Sequence, residues 1–284
     1  MIEYGMPTLL EFNDIEECAQ LCAELGLRFI EINMNLPQYQ PDRLSQDKLA
    51  LVAQQYGIYY TIHLDENLNV ADFNRRVAAA YCATVADSIR LARRLNAPVI
   101  NMHMAKGVFF KLPERRVYLF DEYNARYMDA LREFRDECTK LIGADDITIC
   151  VENTDGYADF QLRALDMLLD SPVFGLTLDI GHDHTAGGVD LPAILARVDR
   201  LRHMHIHDAD QQHDHLVLGA GNMDLDDRLR LAREQNCRAV IETKTAVALR
   251  QSVKWLIAHD WFTPVETPPD GMLITPTRGV AAGV

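Results

Sequence analysis

No run of about 18 apolar residues, the minimum for a membrane-spanning helix, occurs anywhere in the chain. The first residues, Met1 to Asn13, also lack the basic segment and apolar run of a secretory signal. The expectation is therefore a cytoplasmic protein with no membrane partner. Positive charge is scarce: 28 Lys and Arg stand against 42 Asp and Glu, a net charge of −14. Such a surface repels a phosphate backbone, so nucleic acid is not the expected partner. Cysteine is sparse too, with six residues scattered through apolar segments, which excludes a disulfide framework and suits reduced core thiols. Cys18 and Cys22, four apart on one helix face, read as packing residues. No Gly-rich dinucleotide fingerprint follows the first strand, where the text is Tyr4-Gly5-Met6-Pro7. Internal linkers, low-complexity blocks and sequence repeats are likewise missing.

What is present is an alternation of short β-rich runs with longer helical patterns. The expected strands are Ile2 to Gly5, Phe29 to Met34, Tyr59 to Leu64, Val99 to Met104, Thr148 to Thr154, Gly175 to Ile180, Arg202 to His207 and Arg238 to Lys244. Helices are expected at Ile15 to Leu25, Gln46 to Gln55, Asn69 to Leu95, Asp121 to Leu141, Gln161 to Leu169, Leu191 to Val198, Asp224 to Gln235 and Ala246 to His259. Eight strands each followed by a helix predict an α/β fold, a single (β/α)8 TIM barrel over residues 1–261. A Pro-rich C-terminal tail, residues 262–284, follows it.

The ionisable residues sit where such a barrel builds its active site, at the C-terminal ends of the strands. Nine of the ten histidines fall between His63 and His215. The third strand ends on His63, the fourth on His103, the fifth on Glu152, the sixth on Asp179 with His182 beyond it, and the eighth on Glu242. The seventh carries His203, His205 and His207, which at a period of two share one face. Imidazoles interleaved with carboxylates are the donors used by Zn²⁺, Mn²⁺ and Fe²⁺. A bound cation also removes the cost of three buried carboxylates. His203, deeper in the barrel, reads as packing, and His259 as a plain helix residue; His184 and His207 are left open. The loop after the seventh strand adds His213-Asp214-His215, a pair able to chelate, and Gly219-Ala220-Gly221, a turn that lets backbone approach a ligand. After the fourth strand, Lys106, Lys111, Arg115 and Arg116 accompany Phe109, Phe110 and Tyr118, either an ordinary amphipathic loop or a lid over a sugar phosphate.

Taken together, His63, His103, Val151-Glu152-Asn153, Asp179-Ile-Gly-His182, His205-Ile-His-Asp208, His215 with Gly219-x-Gly221, and Ile241-Glu242-Thr243 resemble the xylose-isomerase-like TIM-barrel superfamily. That group contains sugar phosphate isomerases and epimerases, inosose dehydratases and endonuclease IV. The resemblance covers about residues 1–260. In the ketose epimerases it implies one divalent metal on Glu152, Asp179, His205 and Glu242, the two glutamates being the catalytic acid and base. In endonuclease IV (AP endonuclease family 2) it implies a three-zinc cluster that also uses His63, His103, His182 and an Asp-x-His pair. Here that pair is His213-Asp214-His215, with His213 where the family has aspartate. The substrate-binding arginine of the tagatose-type epimerases has no counterpart, because no arginine lies between His205 and Gly221.

The expected function is a divalent-metal-dependent sugar or sugar phosphate isomerase or epimerase, working through an enediolate with Glu152 and Glu242 exchanging the proton. The alternative is a multi-zinc phosphodiester hydrolase acting on abasic DNA or a small phosphodiester. Expected metal ligands are Glu152, Asp179, His205, Glu242, His63, His103, His182, His215 and His213, holding one to three ions of Zn, Mn, Mg or Co. Expected substrate contacts are His182, Lys244, Lys106 and Lys111. Assembly into a homo-oligomer is left open.

Overall fold

The computed structural model describes residues 2–264. The expected C-terminal tail, from 265 onward, lies outside the described residues. The chain runs through β1 (Glu3–Pro7), α1 (Ile15–Glu24), β2 (Phe29–Asn33), α2 (Gln46–Tyr56), β3 (Tyr59–His63), α3 (Arg75–Leu95) and β4 (Val99–His103). A hairpin follows, β5 (Phe109–Lys111) and β6 (Arg116–Tyr118), then α4 (Leu119–Glu122), α5 (Asn124–Ile142), β7 (Thr148–Glu152), α6 (Asp159–Leu169) and β8 (Phe174–Asp179). The last elements are α7 (Ile180–Thr185), α8 (Leu191–Leu195), β9 (Leu201–Ile206), α9 (Leu225–Glu234), β10 (Arg238–Ile241) and α10 (Ala246–Ala258).

Eight strands close into a barrel in the order β1-β2-β3-β4-β7-β8-β9-β10 and back to β1. Every pairing in it is parallel. The expected (β/α)8 barrel is therefore the fold. No helix among the described residues is long and apolar enough to cross a membrane.

Local chemistry explains where the elements start and stop. Asp14 caps α1, and Glu17 reaches back to complete a capping box. α3 begins at Arg75, later than the periodicity suggests, because Asn74 caps it and Asn69 bonds Asp72 instead. Asp179 ends β8 and at once caps α7, its Oδ1 accepting the His182 N–H at 2.7 Å. The basic stretch after β4 forms the β5–β6 hairpin, with Phe109 across from Tyr118 and the Arg116 guanidinium 4.4 Å over the Phe109 ring. Cys18 and Cys22 are fully buried in the apolar layer, as packing residues should be. Phe262 is buried edge-on to Tyr4, ring centroids 5.2 Å apart, so the core runs at least one residue past the expected boundary at 261.

The layer between strands and helices is largely apolar, but the barrel interior is polar at two levels. Alternation places Glu31, Thr61, Asn101, Thr177 and His203 at a lower level. One step toward the C-terminal ends of their strands stand His63, His103, Glu152, Asp179 and His205, with Glu242 just beyond β10.

Candidate metal centre

The upper level is a ring of donors at the mouth. His205 Nδ1 lies 2.8 Å from Glu242 Oε2, 3.2 Å from Glu152 Oε1 and 3.7 Å from Asp179 Oδ2. The potential ligand atoms of these four residues all lie within 4.8 Å of one another. Glu152 Oε2 in turn stands 3.4 Å from His63 Nε2 and 3.2 Å from His103 Nε2, so Glu152 is shared between two donor groups. His182 Nδ1 lies 3.6 Å from both Glu152 and Asp179, and His215 Nε2 lies 3.4 Å from Glu242 Oε1.

The lower level orients this ring. Glu31 accepts His205 Nε2–H at 2.8 Å through one oxygen, and His203 Nε2–H at 2.8 Å and the Thr61 hydroxyl at 2.9 Å through the other. The proton held on His205 Nε2 leaves Nδ1 free to face the three carboxylates, the way an outer carboxylate commonly fixes a metal-binding imidazole. His63 donates its Nδ1–H to the Leu64 carbonyl at 2.7 Å, which likewise frees Nε2. Asn101 donates to Glu152 and accepts from Thr177 Oγ1 at 2.6 Å. His203 thus packs below the site, as expected.

The ring's inner atoms are unsatisfied. With the imidazoles neutral, His103 Nε2, Glu152 Oε1, His182 Nδ1, His205 Nδ1 and Glu242 Oε2 are buried and without a hydrogen-bond partner among the described residues. Such atoms are rare in a folded protein and costly. Their convergence on one space, with N and O donors in the proportions divalent ions use, fits a metal. The electrostatics agree. Burial opposes ionisation of Glu152 and Glu242, yet His205 and its neighbours hold both well below the usual carboxylate range. Burial likewise opposes charging of the imidazoles, but the facing carboxylates raise His63 to about 9 and His182 to about 10. Imidazole protons thus supply the positive charge that a cation would supply.

Of the other expected site residues, His213 requires a correction. It is exposed and bonded to Asp210, Nδ1 to Oδ1 at 3.1 Å, outside every donor group of the described residues. The cause is the loop geometry: Asp210 Oδ1 also accepts the His213 N–H and folds that tip away from the mouth. His215 sits inward beside Glu242, and Asp214 lies between His182 and His215, taking part of the place expected of His213. The Gly219-x-Gly221 turn serves the loop itself. The Gly219 N–H donates to Asp208 Oδ2 at 2.9 Å, and a Cβ on Gly221 would lie 2.4 Å from Asp208 Oδ1. Lys244 pairs with Glu242 Oε1 at 2.9 Å, Lys106 is taken by Asp155, and Lys111 is exposed on the hairpin. His184 bonds Asn222, and His259 stacks on Trp255 at the end of α10.

Reading strand ends alone misses Glu31, Thr61, Asn101 and Thr177. Their signal is a polar side chain set among apolar neighbours within a strand, as in Phe29-Ile-Glu31-Ile.

Comparisons with known proteins agree with this architecture. Two relatives come from Methanocaldococcus jannaschii. The uncharacterized protein MJ1614 is 25% identical over 195 residues, 67% of this chain and 72% of its own. The uncharacterized protein MJ1311 is 27% identical over 221 residues, 72% of this chain and 70% of its own. Among solved structures, a D-tagatose 3-epimerase-like protein superposes with a TM-score of 0.71 at 21% identity, covering 91% of this chain and 96% of that one. The 3-keto-D-glucoside 4-epimerase YcjR of E. coli gives 0.73 at 16% identity, covering 91% and 100%. At these identities the likeness is one of fold. The xylose isomerase-like TIM barrel family model matches residues 19–259, and the chain belongs to that family.

Proposed function

We propose that the protein is a divalent-metal-dependent sugar isomerase or epimerase in which Glu152 and Glu242 exchange a proton with the carbon beside the substrate carbonyl. The supporting observation is the placement of the two glutamates. They rise from β7 and β10 and flank His205 Nδ1 at 3.2 and 2.8 Å, each with one oxygen that makes no hydrogen bond among the described residues. Glu152, Asp179, His205 and Glu242 would hold the ion, which when bound supplies Lewis-acid polarisation of the carbonyl and its neighbouring hydroxyl. One carboxylate takes the proton and the other returns it, a pairing suited to inverting a carbon held between them. His182 and His215 border the mouth next to these carboxylates and would bond substrate hydroxyls.

The mouth favours an uncharged sugar over a phosphate. Lys106 and Lys244 are each committed to a carboxylate. Solved neighbours include epimerases named for D-allulose, D-psicose and a 3-keto-D-glucoside. The hydrolase alternative gains nothing from a surface of net charge −14. The test is metal content per chain together with a screen of free ketoses and their phosphates on protein reloaded with Mn, Mg, Co or Zn. Stereochemical inversion of a ketose that disappears in Glu242→Gln supports the reading. Hydrolysis of abasic DNA with no sugar turnover would overturn it.

A further inference from the structure

His207 lies one step beyond β9, fully buried, in a group of three histidines whose donor atoms have metal-site spacing: His182, His207 and His215. Spacing alone would make it a ligand. Its hydrogen bonds say otherwise, and the inference rests on the metal reading above. We propose that His207 is a positioning residue that fixes the Asp179 carboxylate for the metal centre, and is not itself a metal ligand.

The argument begins with the tautomer. The backbone N–H of His215 points at His207 Nδ1 at 2.7 Å. A backbone amide can only donate, so Nδ1 supplies the lone pair and the ring's single proton sits on Nε2. The Asp208 carbonyl, 3.4 Å from Nδ1, lies at the edge of hydrogen-bond range and does not compete. Nε2 stands 3.0 Å from both oxygens of Asp179, so its N–H is aimed at the carboxylate as a whole. Both ring nitrogens are thereby used, one accepting and one donating, and neither has a lone pair left for an ion.

Three features of the surrounding chain hold that arrangement. His215 has a left-handed backbone, φ 55°, uncommon for a residue with a side chain. The bridge between Asp208 and Leu216 closes the loop and keeps the His215 amide against His207 Nδ1. The His207 and His215 rings stack with centroids 4.2 Å apart and planes 4° from parallel. On the other side Gly181 leaves room for the ring, since a Cβ there would lie 2.0 Å from Cε1 and 2.3 Å from Nδ1. The glycine of Asp179-Ile-Gly181-His182 thus serves the His207 ring, and the motif and the strand-end histidine form one unit.

The experiment measures zinc and manganese stoichiometry and affinity by chelator competition in wild type, His207→Gln, His207→Leu and Gly181→Ala, with the melting temperature of each metal-free protein. Gln keeps an N–H donor for Asp179, and Leu does not. Unchanged stoichiometry throughout is expected, with affinity within a few-fold of wild type for Gln and about 10–100-fold weaker for Leu and Gly181→Ala. Loss of one ion per chain in both His207 variants would make His207 a ligand and overturn the assignment. A lowered melting temperature with unchanged affinity in Leu would reduce it to packing and overturn it equally. Absence of any ion on wild-type protein would instead fail the metal reading itself. Should the variants not fold, ¹H–¹⁵N spectra of the histidine rings in metal-free wild type decide the point. One ring should carry its proton on Nε2 and show a bond to the His215 amide, and a proton on Nδ1 would refute the proposal.

Discussion

The two polar levels inside the barrel are built from the same kinds of residue and differ in one respect. Below, Glu31, Thr61, Asn101, Thr177 and His203 bond one another or the level above, and of their side-chain atoms His203 Nδ1 alone is buried without a partner among the described residues. Above, five residues of the ring each turn toward a common space an atom that has no partner among the described residues. The lower five are all buried, whereas His103, His182 and Glu242 above are partly open to the mouth, so the difference lies in what each level is for. A nearly satisfied network is structural, and a converging set of unsatisfied donors is what the proposed ion would complete. The lower level also fixes which atoms of the upper one stay unsatisfied: Glu31 takes His205 Nε2–H, and Asn101 occupies one oxygen of Glu152.

The largest effect that would sharpen this contrast is Glu242→Gln. The amide nearly preserves shape while removing a proton acceptor, and turnover should fall by about 10²–10⁴-fold. Wild-type-like rates on the same ketose would place Glu242 outside the chemistry. Next comes removal of the metal. A cation that completes the upper level stabilises the fold by about 2.7 kcal/mol at 100 times its dissociation constant. Chelation should then lower the melting temperature by about 5–10 °C for a domain of this size. His63 and His182 are raised to about 9 and about 10 by the carboxylates they face. A cation bound among the same carboxylates would repel those protons, so binding should release them in part, and affinity should weaken as pH falls below that range. Calorimetry in buffers of different ionisation enthalpy measures the release, and no release would mean that the ring accepts ions without displacing protons.

Glu31→Gln is expected to act across the levels. It leaves His203 and His205 without their shared carboxylate, so metal affinity should fall about 10–100-fold although Glu31 is not among the proposed ligands. An unchanged affinity would mean the lower level does not orient the upper. The smallest effect belongs to Thr177→Val, which removes one hydroxyl bond to Asn101 and should cost about 1 kcal/mol in a denaturant titration, with metal stoichiometry intact. Loss of an ion there would erase the distinction between the levels.

Much of this is legible in the sequence alone. The alternation of β-rich and helical runs carried the barrel, because backbone hydrogen bonding and apolar periodicity are local properties. The strand-end positions of His63, His103, Glu152, Asp179, His205 and Glu242 placed them on one rim for the same reason. The outward turn of His213 is not legible, because a spacing of two residues says nothing about which way a loop tip folds. The role of Glu31 is not legible there, because a lone carboxylate inside an apolar strand acquires it only from partners such as His203 and His205, more than 170 residues away.

The sequence by itself therefore determined the architecture and the level at which the chemistry sits, since both follow from periods of two and 3.6 along the chain. Only the tertiary structure decided which nitrogen of each histidine is free, why His207 turns its N–H to Asp179, and which atoms are left unpaired. Those are properties of hydrogen-bond partners brought together by barrel closure, and no local pattern in the chain encodes them.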